Sequence, residues 1–203
     1  MSKSKNTIVV DETTLDAAEE YSRKIALISK AETVQIKKAT VQSDFCSYAY
    51  ELKEGIGSGD EISRKGSSII HPDMHKALGM LDVHLAVIDD AFHHKGIEIS
   101  DIDNHHADDI TAAYKVNGFS ITGTGENEAV VLSGSKAISI GGHIDIKTPR
   151  IEFNGNYHWV NELRVSIDNM IDEVKAYMSG YIAPVAVQAE MDFGDDDENN
   201  IED

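Results

Sequence analysis

Apolar side chains recur along this chain in two rhythms. Over 13–30 (TTLDAAEEYSRKIALISK), Leu15, Ala18, Tyr21, Ile25 and Ile28 return every three to four residues, the spacing of one helix face. Thr13 or Thr14 can cap that helix, acids fill its first half, and Arg23, Lys24 and Lys30 fill its second, as the helix dipole favours. Residues 33–42 and 44–53 read as strands. In the second, Phe45, Ser47, Ala49 and Glu51 alternate with Cys46, Tyr48, Tyr50 and Leu52. The Gly-rich stretch 54–60 is a loop, and 62–70 leads into a second helix opened by His71-Pro72-Asp73. Met74, Leu78, Leu81, Leu85, Ile88 and Phe92 form its stripe, with Asp82, Asp89 and Asp90 off it. Residues 93–109 read as a polar loop. Three β-like runs follow at 110–122, 128–140 and 143–153, broken by glycines at 123–125 and 141–142 that suit hairpins. A last helix over 157–180 carries Val160, Leu163, Ile167, Ile171, Val174 and Met178, with Gly180 as its stop.

The order helix, two strands, helix, three strands, helix predicts an α+β fold. It implies a mainly antiparallel five-stranded sheet with two or three helices, either open with helices on one face or curled toward an OB-like barrel. No internal repeat is visible. The expected organisation is a flexible 1–12, one domain over 13–183, and a disordered acidic tail over 184–203.

Charge sharpens this picture. The 203 residues carry 18 Lys+Arg against 36 Asp+Glu, a formal −18. Residues 71–109 hold Lys76 and Lys95 against nine acids, and 190–203 hold eight acids and no base. Those two segments contain fifteen of the surplus charges, and the strand regions 33–70 and 110–153 each balance. The tail is too poor in apolar side chains and too dense in like charge to order itself. No run approaches a membrane span and no signal-peptide core opens the chain, so a cytoplasmic protein without membrane contact is expected. The lone Cys46 cannot pair within the chain and reads as a small buried apolar residue.

Catalytic signatures are missing: there is no GxSxG, P-loop or Cys/His nucleophile pattern, so a non-enzymatic protein without cofactor is expected. His71 and His75 are four apart, and His93, His94, His105 and His106 share a loop with Asp101, Asp103, Asp108 and Asp109. Their spacing fits no established metal motif, and no metal site is assigned.

The balanced strand regions suit single-stranded nucleic acid, which needs cations for phosphates and rings for bases. Lys37, Lys53, Arg64, Lys65, Lys115 and Lys147 are the expected phosphate contacts, and Tyr48, Tyr50 and Phe119 the stacking rings. Two other readings stand beside this one. The acidic helix 71–92 and its loop could serve as an interaction or inhibitor module for a basic host protein, and the histidine loop as a small-ligand or metal site. The long 157–180 stripe leaves homo-oligomerisation open.

The tail Ala189-Glu-Met-Asp-Phe-Gly-Asp-Asp-Asp-Glu-Asn-Asn-Ile-Glu-Asp203 resembles the acidic tails of bacterial and phage single-stranded DNA-binding proteins. That resemblance implies recruitment of replication and recombination partners and competition with DNA. Those tails end in an apolar tip, whereas the only ring here is Phe193. Gln188-Ala-Glu-Met191-Asp-Phe193 also resembles peptides that dock on bacterial sliding clamps. The implied partner contacts are Gln188, Met191, Phe193, Asp195, Asp196 and Asp197. Phe45-Cys-Ser-Tyr-Ala-Tyr50, Ile62-Ser-Arg-Lys-Gly66 through Asp73, Asn117-Gly-Phe-Ser-Ile-Thr-Gly123 and the closing helix resemble a group of small tailed-phage and prophage proteins of Bacteroides-like bacteria. Membership would imply a bacterial host cytoplasm and a DNA-metabolism context, and it transfers no catalytic residue.

Overall fold

A computed structural model describes residues 12–55, 57–97 and 104–184, apart from the side chains of 12–16 and 104–107. Helix α1 (Glu12–Lys30) precedes strands β1 (Val34–Gln42), β2 (Phe45–Leu52) and β3 (Glu61–Lys65). Helices α2 (Pro72–Gly79), α3 (Asp82–Ile88), α4 (Ala91–His94) and α5 (Asn104–Thr111) follow. Strands β4 (Tyr114–Thr122), β5 (Ala129–Ala137), β6 (His143–Lys147) and β7 (Ile151–Glu152) lead to the closing helix α6 (Val160–Met178).

The sheet is wholly antiparallel and runs β3-β2-β1-β4-β5-β6, with β7 also on β5. It is an open sheet, not the curled alternative: β3 and β6 end the path without meeting. Among the described residues it has seven strands where five were expected. Glu61–Lys65, read as a lead-in, pairs along β2. The 143–153 run divides at Thr148, which donates its N–H to Leu132 O and accepts from Leu132 N through Oγ1, both at 3.0 Å. A side chain thus fills one rung where the chain bends before Pro149.

Two meanders, β1-β2-β3 and β4-β5-β6, stand back to back across the β1–β4 pair. The repetition had no sequence signature. Each central strand carries one bulge, between Ile36 and Lys38 in β1 and between Val116 and Gly118 in β4. The extra residue reverses the alternation midway. Buried positions therefore run Val34, Ile36, Ala39, Val41 in β1 and Tyr114, Val116, Phe119, Ile121 in β4, one spacing pattern used twice.

Helices cover one face only. Met74, Ala77 and Leu78 of α2, Leu85 and Ala86 of α3, and Leu163, Ile167, Met170 and Val174 of α6 are buried in one cluster with Ile36, Tyr50, Phe119, Val130 and Leu132 of the sheet. Of the expected α6 stripe, Leu163, Ile167 and Val174 are buried in this core and Val160, Ile171 and Met178 are half-buried. Gly180, with φ 99°, stops this helix as expected. The predicted 71–92 helix is three pieces: the chain breaks at Met80-Leu81 and again at Asp90, whose φ of 61° is left-handed. The expected 93–109 loop contains α5.

Helix α1 is held by charge. Lys24 Nζ reaches Asp73 Oδ2 at 3.1 Å and also pairs with Glu173, joining α1 to α2 and α6. Partial burial opposes the charge on Asp73. Hydrogen bonds from Lys76 and Lys24 outweigh that and bring its carboxyl down to about 2.

The two faces should respond differently to truncation. Leu163→Ala and Phe119→Ala leave cavities under the helices and should each lower the urea-unfolding free energy by about 2–5 kcal/mol. Ser120→Ala on the uncovered face should stay within about 0.5 kcal/mol of the parent.

Candidate nucleic-acid interface

Residues paired across antiparallel strands share a face, so the register identifies the uncovered one. One row crosses all six strands of the path: Lys65 faces Ser47, Ser47 faces Thr40, Thr40 faces Gly118, Gly118 faces Ser133, and Ser133 faces Lys147. It reads alike from either edge, a lysine on each outer strand, a serine on each second strand and two small residues at the centre. The β1–β4 back-to-back arrangement produces that symmetry.

The small residues are required at the centre. A Cβ on Gly118 would stand 3.0 Å from Thr40 Cα and 3.1 Å from Thr40 Oγ1, so no larger residue fits without moving β1. Ser133 Oγ donates to Asn117 Oδ1 at 3.0 Å, which orients one hydroxyl beside the row. The trough between the terminal lysines is floored by Ser47, Thr40, Gly118 and Ser133. Next to it a hollow of about 370 Å³ is lined by Lys38, Thr40, Ser47, Tyr48, Arg64 and Lys65 among others.

The expected cations divide by place. Lys65, Lys115 and Lys147 are exposed on the uncovered face, where Lys115 faces Ser135 and Ser135 faces Asp145. Lys37 is the extra residue of the β1 bulge, and its amine is held by Glu51 at 3.0 Å. Arg64 is exposed on edge strand β3 opposite Tyr48. Lys53 lies past the end of β2, about 20 Å along the strand from Ser47.

The expected rings are a correction. Phe119 is 1% exposed and Tyr50 8% exposed, both in the helix-covered core. Tyr48 packs edge-on against Tyr177 of α6 with ring centres 6.2 Å apart. Phe119 and Tyr50 therefore offer no ring to a base, whereas Tyr48 is half-buried and lines the hollow beside the row. The aromatic residue on the uncovered face is Phe45, 45% exposed. Lys38, Thr40, Ser47, Gly118 and Ser133 were not among the contacts expected from sequence. Alternate-position Ser and Thr in four strands was the available signal, and the bulges broke it.

Three of the four acids of 71–92, Asp73, Asp82 and Asp89, are internal anchors, and Asp90 is exposed. Asp82 Oδ1 accepts from Val116 N at 2.7 Å, at the β4 bulge. Asp89 accepts from Tyr114 Oη at 2.7 Å and pairs with Lys136 at 2.8 Å. His71 caps α2 by accepting from Asp73 N at 3.3 Å. His93 and His94 are exposed, with His93 Nδ1 3.5 Å from Asp90. Among the described residues no three His, Cys, Asp or Glu side chains form a metal-binding group. The side chains of His105 and His106, together with Asp101, Asp103 and the tail contacts Gln188, Met191, Phe193, Asp195, Asp196 and Asp197, lie outside the described residues. Burial pushes the Cys46 thiol up to about 12 despite a backbone hydrogen bond from Thr40, so it is a neutral apolar residue at physiological pH. Among the described residues no helix is long and apolar enough to cross a membrane.

Two neighbours on α3 titrate in opposition. Burial raises Asp82 from 3.8 to about 6, against the pull of the Val116 N–H and of Lys115. Burial lowers His84, whose Nδ1 is 2.9 Å from Tyr157 Oη, from 6.5 to about 4. The Asp82 contribution to stability is full below pH 3.8 and is lost as pH rises through 6. The His84 contribution is full above pH 6.5 and is lost as pH falls through 4. Between pH 4 and 6 the two slopes offset. Asp82→Asn should therefore lose stability on acidification through this window relative to the parent. His84→Gln should gain stability there relative to the parent, as read from urea midpoints at each pH. No protein-family profile, curated protein or solved structure matches this chain.

Proposed function

We propose that this chain is a non-catalytic protein of DNA metabolism that lays single-stranded DNA across the uncovered sheet face. The observation that carries the reading is the Lys65–Ser47–Thr40–Gly118–Ser133–Lys147 row. Five strand spacings make it about 24 Å wide, enough for a site of about four nucleotides. Its chemistry is that of a phosphate track: ammonium groups at both ends, the Ser47 and Thr40 hydroxyls as donors between them, and no side chain at Gly118 in the centre of the row. That side carries Lys37, Lys38, Lys65, Lys115, Lys147 and Arg150 against Glu51, Glu61, Asp145 and Glu152, a local surplus of two positive charges on a chain of net −18. Lys37 already neutralises Glu51.

With Tyr50 and Phe119 buried and Tyr48 packed edge-on against Tyr177, affinity comes mainly from phosphate contacts. Binding is then sequence-indifferent and steeply salt-dependent. The acidic residues 190–203 compete for the same lysines in the absence of DNA. When displaced, they present Gln188, Met191 and Phe193 to replication or recombination proteins, the sliding clamp among them. An acidic decoy built on 71–92 is less well supported, because Asp73, Asp82 and Asp89 already have internal partners.

Anisotropy titration of a labelled oligothymidylate checks this. The 1–188 truncation should bind about tenfold tighter than the full chain at low salt, with the difference closing as salt rises. The Lys38→Ala/Lys147→Ala double variant should reduce the slope of log K against log salt by about 1.4. No binding by either form contradicts the reading, and an unchanged slope places the strand on another surface.

A further inference from the structure

Strand β3 is an edge whose outer rim is built to pair with itself. Gly66 N donates to Cys46 O at 2.8 Å, continuing the β2–β3 register one step beyond Lys65–Ser47. Backbone groups alternate in direction along a strand, so Ile62 and Arg64 bond inward to β2. The N–H and C=O groups of Glu61, Ser63 and Lys65 point away from it. Among the described residues no strand takes them. The strand has no proline and no bulge, two of the usual guards of an exposed edge.

We propose that the β3 edges of two copies of this chain pair antiparallel about a two-fold axis at Ser63. In that register Glu61 faces Lys65 of the second copy, Ser63 faces Ser63, and Lys65 faces Glu61. The facing residues are the ones whose backbone groups point outward, so each of the three pairs exchanges two hydrogen bonds. Glu61 and Lys65 lie on the uncovered side, where the two-fold forms two ion pairs. Ile62 and Arg64 lie on the helix side, where the guanidinium stem of one copy covers the half-buried isoleucine of the other. The opposite edge lacks this complementarity. The same centred register on β6 would set Asp145 against Asp145, like charges in direct opposition. One edge therefore pairs and the other is guarded, which gives a closed dimer instead of a fibre. The dimer joins two six-stranded paths into one sheet with both uncovered faces on the same side. The pairing stands on backbone direction and charge, and does not rest on what that face binds.

Sedimentation velocity of the full chain, without nucleic acid, from about 1 µM to about 500 µM tests this. The 22.2 kDa chain should pass to a species of twice that mass as concentration rises. Lys65→Glu sets Glu61 against a glutamate in both pairs and should weaken association by about tenfold or more. Ser63→Pro removes an outward N–H without touching the β2 ladder and should do the same. The charge swap Glu61→Lys/Lys65→Glu should restore the dimer. Circular dichroism melts confirm that each variant is folded. A monomer throughout the range, undiminished association of Lys65→Glu or Ser63→Pro, or failure of the swap to restore it would each overturn the proposal.

Discussion

Six antiparallel strands present two faces, and the helices of this chain supply apolar surface for only one. Leu163, Ile167, Met170 and Val174 of α6, with Met74 and Leu78 of α2 and Leu85 of α3, are buried in one cluster with Ile36, Phe119, Val130 and Leu132. Burial of that size dominates the stability of the domain. It also decides which side chains can meet a partner. Phe119, Tyr50 and Tyr114 go under the helices, and small hydroxyl residues, lysines and Phe45 are left outside. The uncovered face is thus a consequence of the core, and its chemistry follows from which register positions the core did not use.

Charge obeys the same division. The acids of 71–92 would be a solvated face if the segment were one continuous helix. Its breaks at Met80-Leu81 and Asp90 turn Asp82 toward the β4 bulge and Asp89 toward Tyr114 and Lys136. Asp73 and Glu173 are bound to Lys24. A formal −18 is therefore compatible with a cationic track, because several of the carboxylates are holding the fold and eight more lie in 190–203.

The fold class was legible in the sequence, since 3.6-residue and two-residue rhythms mark α1, α6, β1, β2 and β5 directly. The faces were not. A bulge at Ile36/Lys38 and another at Val116/Gly118 shift each central strand by one residue, so a strict alternation started at either end assigns the other half to the wrong side. Phe119 shows the result: the ring looked available and is buried. β3 escaped notice because five mostly exposed residues, Glu-Ile-Ser-Arg-Lys, have little apolar pattern to read. Its strand character comes from the free rim of β2.

The central claim is that the lysine-edged row on the uncovered face receives a single strand of nucleic acid. Amide chemical-shift mapping on the isotopically labelled full chain with a short oligothymidylate tests it most directly. The account predicts shifts concentrated at Thr40, Ser47, Gly118 and Ser133 and at the terminal Lys65 and Lys147, with α2, α3 and α6 unmoved. Shifts confined to the helical side, or none along the row at saturating oligonucleotide, would contradict it.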